Sequence, residues 1–220
     1  MNLPRWEKYD IYEKVTFENK VDLKNNSIFI MFTWRDIKYK KKISPYYIHN
    51  IINLIDNYKL HNELEKKNIT IYFSFHHLLN IYYTYWFKLK YKNIRYIKFI
   101  NANNISDCLI KVSLVVSDFS SIIFDLIYRR KPFVIFIPDA KDPQIKDIYT
   151  NNYYDLIESM KNGTIEFLNK YFEVNEAINK IIYYINNDFN LEPKLKIFYD
   201  SFELKSGHYI NKFINYLNNL

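Results

Sequence analysis

The chain has 220 residues, of which 49% are apolar and 19% aromatic, enough for a packed core and inconsistent with wholesale disorder. Its formal net charge of +7 favours anionic partners such as nucleotides, phosphate polymers, nucleic acid or an anionic membrane surface, without choosing among them. A single cysteine, Cys108, excludes an internal disulfide framework, and no apolar run approaches the ~20 residues that cross a bilayer. We therefore expect a protein of a reducing compartment, soluble or peripheral to a membrane.

Short apolar runs alternate with helical patterns along most of the chain. The predicted strands cover, in chain order, residues 28–33, 69–75, 94–100, 114–117 and 133–137. The first predicted helix begins at 44–45 and continues through 55. The other predicted helices cover 78–89, 105–111, 120–130, 175–187, 193–202 and 209–217, and a polar loop covers 139–152. Continuous apolar strands that alternate with helices are typical of a parallel sheet with both faces covered. The sequence thus predicts an α/β Rossmann-like fold.

The turn after the fourth predicted strand has the composition of a phosphate-binding helix start. It reads SDFSS over residues 117–121, at the carboxyl end of a strand, where open α/β sheets bind ligands. A helix start offers backbone N–H groups and partial positive charge, and the hydroxyls of Ser120 and Ser121 can add contacts to phosphate oxygens. An ordinary helix cap explains the same residues, and on this motif alone it is the more frequent case.

Three further polar residues are expected at the same end of the sheet. Thr33 and Arg35 follow the first predicted strand, and His76 ends the second. Arginine suits bidentate recognition of phosphate, although a structural pairing with an acid such as Asp36 is the alternative. Histidine can neutralise a leaving nucleotide or serve as an acid or base near neutral pH. A histidine at the surface or the core edge is the alternative, and spacing alone favours it.

The acids near the turn are predicted to be structural, because like charge repels phosphate. Asp118 is expected to bond its own backbone within the turn. Asp125 lies more than one turn into the helix and is expected to pair with Arg129, four residues later. The sequence predicts no metal site, because the spacing of the remaining possible metal ligands is not that of a metal-binding motif. These residues are His49, His61, His208 and Cys108.

The segment SDFSSIIFDLIYRRKPFVIFIPD, residues 117–139, resembles the signature of the CDP-glycerol glycerophosphotransferases, the teichoic acid primases and polymerases. Other stretches match that family in the same order: NLPRW at 2–6, FTWRD at 32–36, FHH at 75–77, KNGTI at 161–165 and, in weakened form, 198–207. Phe32 and His77 stand where the family usually has proline, and 162–164 lacks two further prolines. These departures leave the fold assignment intact but leave the donor open.

The resemblance implies a transferase that moves a polyol-phosphate unit from a CDP-activated donor to a growing cell-wall or capsule polymer. It implies a two-lobed GT-B enzyme of which this chain is the C-terminal, donor-binding lobe. On that reading, 1–26 is an interlobe linker, 27–190 the lobe and 191–220 C-terminal helices that pack on it. The family roles implied are catalysis for His76 and Arg35, and donor or phosphate binding for Thr33, Ser120, Ser121, Gly163 and Thr164.

The expected partners follow from the same resemblance. They are a nucleotide-activated donor (CDP-glycerol or a related unit), an anionic polymer acceptor and an N-terminal acceptor lobe absent from this chain, with no metal cofactor. Nucleic acid is not expected, because no basic and aromatic motif of a known binding fold occurs. The expected location is the cytoplasm, with peripheral contact to the inner face of the plasma membrane left open. The alternatives are a GT-B glycosyltransferase lobe that uses a nucleotide sugar and an inactive nucleotide-binding or interaction lobe.

Overall fold

The computed structural model describes residues 26–40, 42–76, 81–100, 104–162 and 169–201. Within these residues a six-stranded parallel sheet has the order β3-β2-β1-β4-β5-β6. The strands are β1 (Ser27–Phe32), β2 (Thr70–Phe75), β3 (Ile97–Phe99), β4 (Leu114–Ser117), β5 (Phe133–Phe136) and β6 (Lys170–Tyr171). This is the strand order of a doubly wound Rossmann-type sheet. The predicted fold class is confirmed.

Helices cover both faces of the sheet. They are α1 (Pro45–Ile55), α2 (Tyr58–Lys66), α3 (Ile81–Tyr91), α4 (Ile105–Lys111), α5 (Ile122–Tyr128), α6 (Ile145–Ile148), α7 (Asn151–Lys161), α8 (Val174–Asn186) and α9 (Pro193–Ser201). The start of α1 follows local chemistry, because the Ser44 hydroxyl accepts the Tyr46 N–H and Pro45 occupies the first turn. None of the helices in the described ranges is long and apolar enough to cross a membrane.

Two apolar clusters pack against the sheet, one on each face. Along β1, Ile28 and Ile30 face the cluster that includes side chains of α1, α2, α3 and α8. The intervening Phe29 and Met31 face the cluster that includes side chains of α4, α5, α6, α7 and α9. Every residue of β1 is buried, which accounts for the continuous apolar run in the sequence.

The structure differs from the predicted elements in several places. The edge strand β3 is shorter than predicted, because it pairs with β2 only over Ile97–Phe99. Strand β6 has two residues, too few for a periodic signal in the sequence. Helix α2 was not predicted, although Asn57 caps it by accepting the N–H groups of Lys59 and Leu60. Helix α6 lies inside the predicted loop, and the helix predicted over 209–217 lies outside the described residues.

Candidate functional site

Polar residues follow neighbouring strands at the carboxyl end of the sheet. The register of β1 with β2 and with β4 puts Thr33, His76 and Asp118 at nearly the same level. Adjacent strands lie about 4.8 Å apart, so these residues are close neighbours. The strand order changes direction between β1 and β4, the switch point at which open α/β sheets bind ligands. We call this edge the rim and define it as residues 33–36, 76, 118–121 and 138–139.

Arg35 lies at the centre of the rim and is held by two carboxylates. Its Nε and Nη2 donate to the two carboxylate oxygens of Asp139 at 2.8 and 2.9 Å, a bidentate pair. Its Nη1 donates to Oδ2 of Asp118 at 2.5 Å, and to the carbonyl and hydroxyl oxygens of Thr33 at 3.1 Å each. One guanidinium therefore connects the residues that follow β1, β4 and β5.

Three aromatic rings lie against this guanidinium. Its carbon is 4.2 Å from the ring centroid of Tyr47, 5.2 Å from that of Phe119 and 5.4 Å from that of Tyr153. Burial by itself lowers the pKa of Arg35, but the two paired carboxylates outweigh it and raise that pKa above its usual value. Burial also raises the pKa of the Tyr47 and Tyr153 phenols. The cluster thus holds a charged arginine among neutral tyrosines.

The Asp118 carboxylate holds the end of β1 as well as Arg35. It accepts the backbone N–H of Thr33 at 3.0 and 3.1 Å, one distance for each carboxylate oxygen. The sequence predicted a bond to the backbone of its own turn, whereas these partners lie on the neighbouring strand end. The Tyr47 hydroxyl donates to the Thr33 carbonyl at 3.0 Å, so the Thr33 backbone is bonded on both sides.

The direct phosphate contact predicted for Arg35 does not fit this geometry. Its side chain is fully buried, and Nε, Nη1 and Nη2 all donate to oxygens of the chain itself. The alternative, a pairing with acids, describes what is observed, although the acids are Asp118 and Asp139. The Asp36 carboxylate instead accepts the Thr150 hydroxyl at 2.8 Å.

The two serines of the turn lie where the sequence placed them, directly before α5. Ser120 is 7% exposed, and its hydroxyl oxygen accepts the Ile122 N–H at 3.4 Å, a weak capping contact. Ser121 is exposed and occupies the position just before the helix. Of the two hydroxyls, that of Ser121 is the one at the protein surface.

The remaining predicted site residues are placed as follows. His76 follows β2 on the rim and is half-buried. Asp125 is buried in α5, and its backbone carbonyl accepts the Arg129 N–H at 3.1 Å. An ion pair between those two side chains stays a prediction. Gly163 and Thr164 lie outside the described residues.

Sequence reasoning gave no role to two residues that complete the cluster. Asp139 pairs with Arg35, and Tyr149 hydrogen-bonds Asp139 while its hydroxyl accepts the Ser44 N–H at 3.3 Å. Asp139 had a usable signal, because it comes shortly after a buried strand just as Asp118 does. Tyr149 had none, since an antiparallel bridge between Ile37 and Tyr149 brings it in from a distant part of the chain.

The described residues contain no group of three or more His, Cys, Asp or Glu side chains that could hold a metal ion. Cys108 is buried in α4, and burial raises the pKa of its thiol to about 12. The thiol is therefore protonated near neutral pH, as expected for a cysteine that serves in packing.

Comparison with known proteins identifies the family of this chain. The family described as CDP-Glycerol:Poly(glycerophosphate) glycerophosphotransferase matches residues 4–217. The chain belongs to that family. The resemblance carried by segments 32–36 and 117–139 is thereby confirmed.

Individual relatives are longer than this chain. The minor teichoic acid biosynthesis protein GgaB of Bacillus subtilis (strain 168) is 32% identical over 108 residues, which are 49% of this chain and 11% of GgaB. A structure of the wall teichoic acid polymerase TagF is 17% identical with a TM-score of 0.44, over 97% of this chain and 46% of that one. The UDP-GlcNAc 2-epimerase from Neisseria meningitidis bound to UDP-GlcNAc is 14% identical with a TM-score of 0.47, over 89% and 48%. The chain therefore spans about half the length of these solved structures.

Proposed function

We propose that this chain is the donor-binding part of a transferase that moves a polyol-phosphate unit from a CDP-activated donor to a growing teichoic acid-like polymer. The observation that carries the proposal is the family match over residues 4–217. The parallel sheet with polar residues at its switch point supports it, because that is where such sheets bind nucleotides. We further propose that the reaction takes place in the cytoplasm.

The proposed reaction is a displacement at phosphorus. A hydroxyl oxygen of the acceptor attacks the β-phosphorus of the donor, and the bond from that phosphorus to the bridging oxygen breaks. CMP leaves with the electron pair of that bond, and the hydroxyl proton passes to a base. Such a reaction requires the two reactants to be held in line and the negative charge on the phosphate groups to be balanced. Hydrogen-bond donors in fixed positions on the protein can do both.

The start of α5 is the proposed contact for the donor phosphates. The exposed Ser121 hydroxyl is the polar group that this start presents at the surface of the rim. The N–H groups of Ile122 and Ile123 donate to Ser120, and that of Phe124 donates to Ser121. The Thr33 hydroxyl accepts a hydrogen bond from Arg35, which leaves its own proton for a phosphate oxygen. His76, on the neighbouring strand end, is proposed to balance the charge of the leaving nucleotide.

Arg35 has a different proposed role from the one that the sequence suggested. Its donors are taken by Asp118, Asp139 and Thr33, so it is proposed to position the rim rather than to touch the donor. Its positive charge also offsets part of the repulsion that the carboxylates of Asp118 and Asp139 would exert on a diphosphate at the rim. Roles for Gly163 and Thr164 in the donor site rest on the family resemblance alone.

The acceptor site and the general base are proposed to lie outside this chain, because the chain spans about half the length of the solved structures it matches. We therefore expect the chain to bind donor nucleotides without catalysing transfer.

Titration calorimetry of the purified chain with CDP-glycerol, CDP-ribitol and UDP-GlcNAc tests the proposed donor class. We expect a CDP compound to bind most tightly, with CMP competing for the same site. Tighter binding of UDP-GlcNAc than of either CDP compound would point instead to a nucleotide-sugar transferase. Absence of binding by all three, from a chain with cooperative unfolding, would indicate an inactive interaction lobe.

A further inference from the structure

One face of α3 carries large apolar side chains on the protein surface. Tyr85 is 64% exposed, and Trp86 and Leu89 are each 46% exposed. Residues four apart lie one above the other on a helix, so Tyr85 and Leu89 form a continuous strip with Trp86 beside it. Isolated exposed apolar residues are ordinary, but three grouped on successive turns of one helix form a surface patch.

The opposite face of α3 is already used by the fold. Phe87 and Tyr91 are buried in the apolar cluster that packs on the sheet, and the Phe87 ring stacks on Phe73 of β2 at 5.9 Å. The exposed strip therefore cannot be turned inward without removing these rings from the core. It is a second apolar face, separate from the one that folds the protein.

Lysines frame this strip on both sides. Lys88 lies along one edge, and Lys92 follows directly after the last residue of the helix. Lys90 lies beyond Trp86 on the other edge. Lys90 forms an ion pair at 2.7 Å with Asp56, the residue directly after α1. Long lysine side chains can lie along an apolar surface while their ammonium groups reach a polar layer above it.

The surrounding sequence carries the positive charge of the whole chain. Between Glu65 and Asp107 no acidic residue occurs. That stretch contains seven basic residues, which leaves 24 basic and 24 acidic residues in the rest of the chain. The basic residues are Lys66, Lys67, Lys88, Lys90, Lys92, Arg95 and Lys98. The excess of basic residues thus falls within the stretch of sequence that contains α3. Three of the seven, Lys66, Lys67 and Lys90, pair with acids outside that stretch.

We propose that the exposed face of α3 is a membrane-contact surface, with the headgroup layer of an anionic bilayer as its partner. Tyrosine and tryptophan side chains favour the boundary between headgroups and acyl chains, because each combines an apolar ring with a polar atom. Lysines beside such a strip gain about 1 kcal/mol each near an anionic leaflet. The exposed face of α3 therefore offers a lipid surface apolar rings and positive charge side by side.

The charge argues for lipid rather than protein as the partner. A second copy of this chain would present the same excess of lysine, and like charges oppose close approach of the two patches. An anionic lipid surface provides negative charge over an extended area and accepts apolar side chains without a shaped pocket. The proposal does not depend on which nucleotide the rim binds.

The location of α3 relative to the rim gives the contact a consequence. Helix α3 joins β2, whose carboxyl end carries His76, to the edge strand β3. Because Phe87 and Tyr91 pack α3 against one face of the sheet, a membrane on its outer side would lie beside the rim at the strand ends and not across it. The rim would stay open to a nucleotide from solution while the chain is held at the lipid surface.

Vesicle flotation tests the proposal with the full chain. Vesicles of phosphatidylcholine with phosphatidylglycerol are compared with vesicles of phosphatidylcholine alone. We expect binding to the anionic vesicles only, with loss of binding as salt is raised. Reversing two charges by Lys88→Glu and Lys92→Glu should weaken it by about tenfold or more. Replacing the strip by Tyr85→Ser, Trp86→Ser and Leu89→Ser should also abolish flotation.

A matched control removes similar side chains elsewhere on the surface. Lys194→Glu, Lys196→Glu and Ile197→Ser change exposed residues of α9, and Ile197 is 69% exposed. These substitutions should leave flotation unchanged. Tryptophan emission should shift to shorter wavelength on anionic vesicles, and the shift should largely disappear in Trp86→Phe, which still floats.

Three outcomes would overturn the proposal. The first is equal binding to neutral and anionic vesicles, or no binding to either. The second is a loss of flotation in the α9 control as large as in the α3 variants. The third is an oligomer in solution that depends on the α3 strip. The last would show that the strip joins two copies of the chain. The far-ultraviolet spectrum and unfolding midpoint of each variant verify that exposed substitutions have left the fold unchanged.

Discussion

Arg35 and Asp139 form a bidentate ion pair with no exposed surface, although 104 positions separate them in the chain. The pair joins the segment after β1 to the segment after β5. Asp118, which follows the intervening strand β4, bonds the same guanidinium. Loss of either carboxylate would leave guanidinium N–H groups buried without the acceptor they have now, which is costly. The geometry of the rim therefore depends on this pair.

Removal of Asp139 should destabilise the fold strongly. We expect Asp139→Ala to lower the free energy of unfolding by about 3–5 kcal/mol, because Arg35 would remain buried with half of its charge partners lost. Urea denaturation measures the change. Asp200→Asn is the matched control, since Asp200 pairs with Arg130 at 2.7 Å with both side chains about half exposed. That substitution should cost about 0–1 kcal/mol, and similar values for the two variants would contradict the role given to Asp139.

Glu192 should make stability depend on pH. Burial alone would raise its pKa, but hydrogen bonds from Lys180 and Tyr184 outweigh burial and lower it. Because the folded-state pKa lies below the unfolded one, this stabilisation is complete above pH about 4.3 and is lost as pH falls through the folded value. Glu192→Gln should therefore cost about 1–2 kcal/mol at pH 7 and almost nothing in acid below both values.

Urea denaturation of wild type and Glu192→Gln at several pH values measures that difference. Glu173→Gln is a suitable control, because Glu173 forms an exposed ion pair with Lys141. If Glu192→Gln lowers the free energy of unfolding by the same amount at every pH, the hydrogen bonds do not favour the carboxylate form of Glu192, and the prediction is contradicted.

Cys108 should be unreactive in the folded chain. Burial raises the pKa of its thiol to about 12, so the thiolate fraction at pH 8 is about one in ten thousand. We expect a thiol-reactive chromophore to modify one equivalent rapidly in urea and very slowly in buffer. Rapid modification of the folded chain would show that α4 does not shield this side chain.

Much of the fold could be predicted because the strands are continuous apolar runs. The runs in β1, β2, β4 and β5 are buried on both faces, a pattern that amphipathic helices do not share. Strand β6 and helix α6 could not be predicted, since two and four residues carry no periodic signal. Their existence depends on pairing with β5 and packing against the second cluster.

The site was only partly predictable for a physical reason. The sequence brings Thr33, Arg35, His76 and the serine turn to one edge, because residues after parallel strands meet there. It does not show which way a side chain turns, so Arg35 was predicted to face phosphate. In the structure Arg35 turns inward to Asp139, a contact that depends on the β4–β5 crossover and on no local motif.

The measurement that tests the central claim most directly is titration of CDP-glycerol into wild type and Ser121→Phe. Ser121 is exposed just before α5, so a phenyl ring there blocks the proposed phosphate contact without entering the core, whereas the buried Ser120 would not tolerate it. Asn93→Phe, at an exposed position near the opposite end of the sheet, is the control. We predict that Ser121→Phe weakens binding by about tenfold or more, as loss of one charge-assisted hydrogen bond would, and that Asn93→Phe binds as wild type. Equal affinity of Ser121→Phe and wild type for CDP-glycerol would contradict a donor site at the rim.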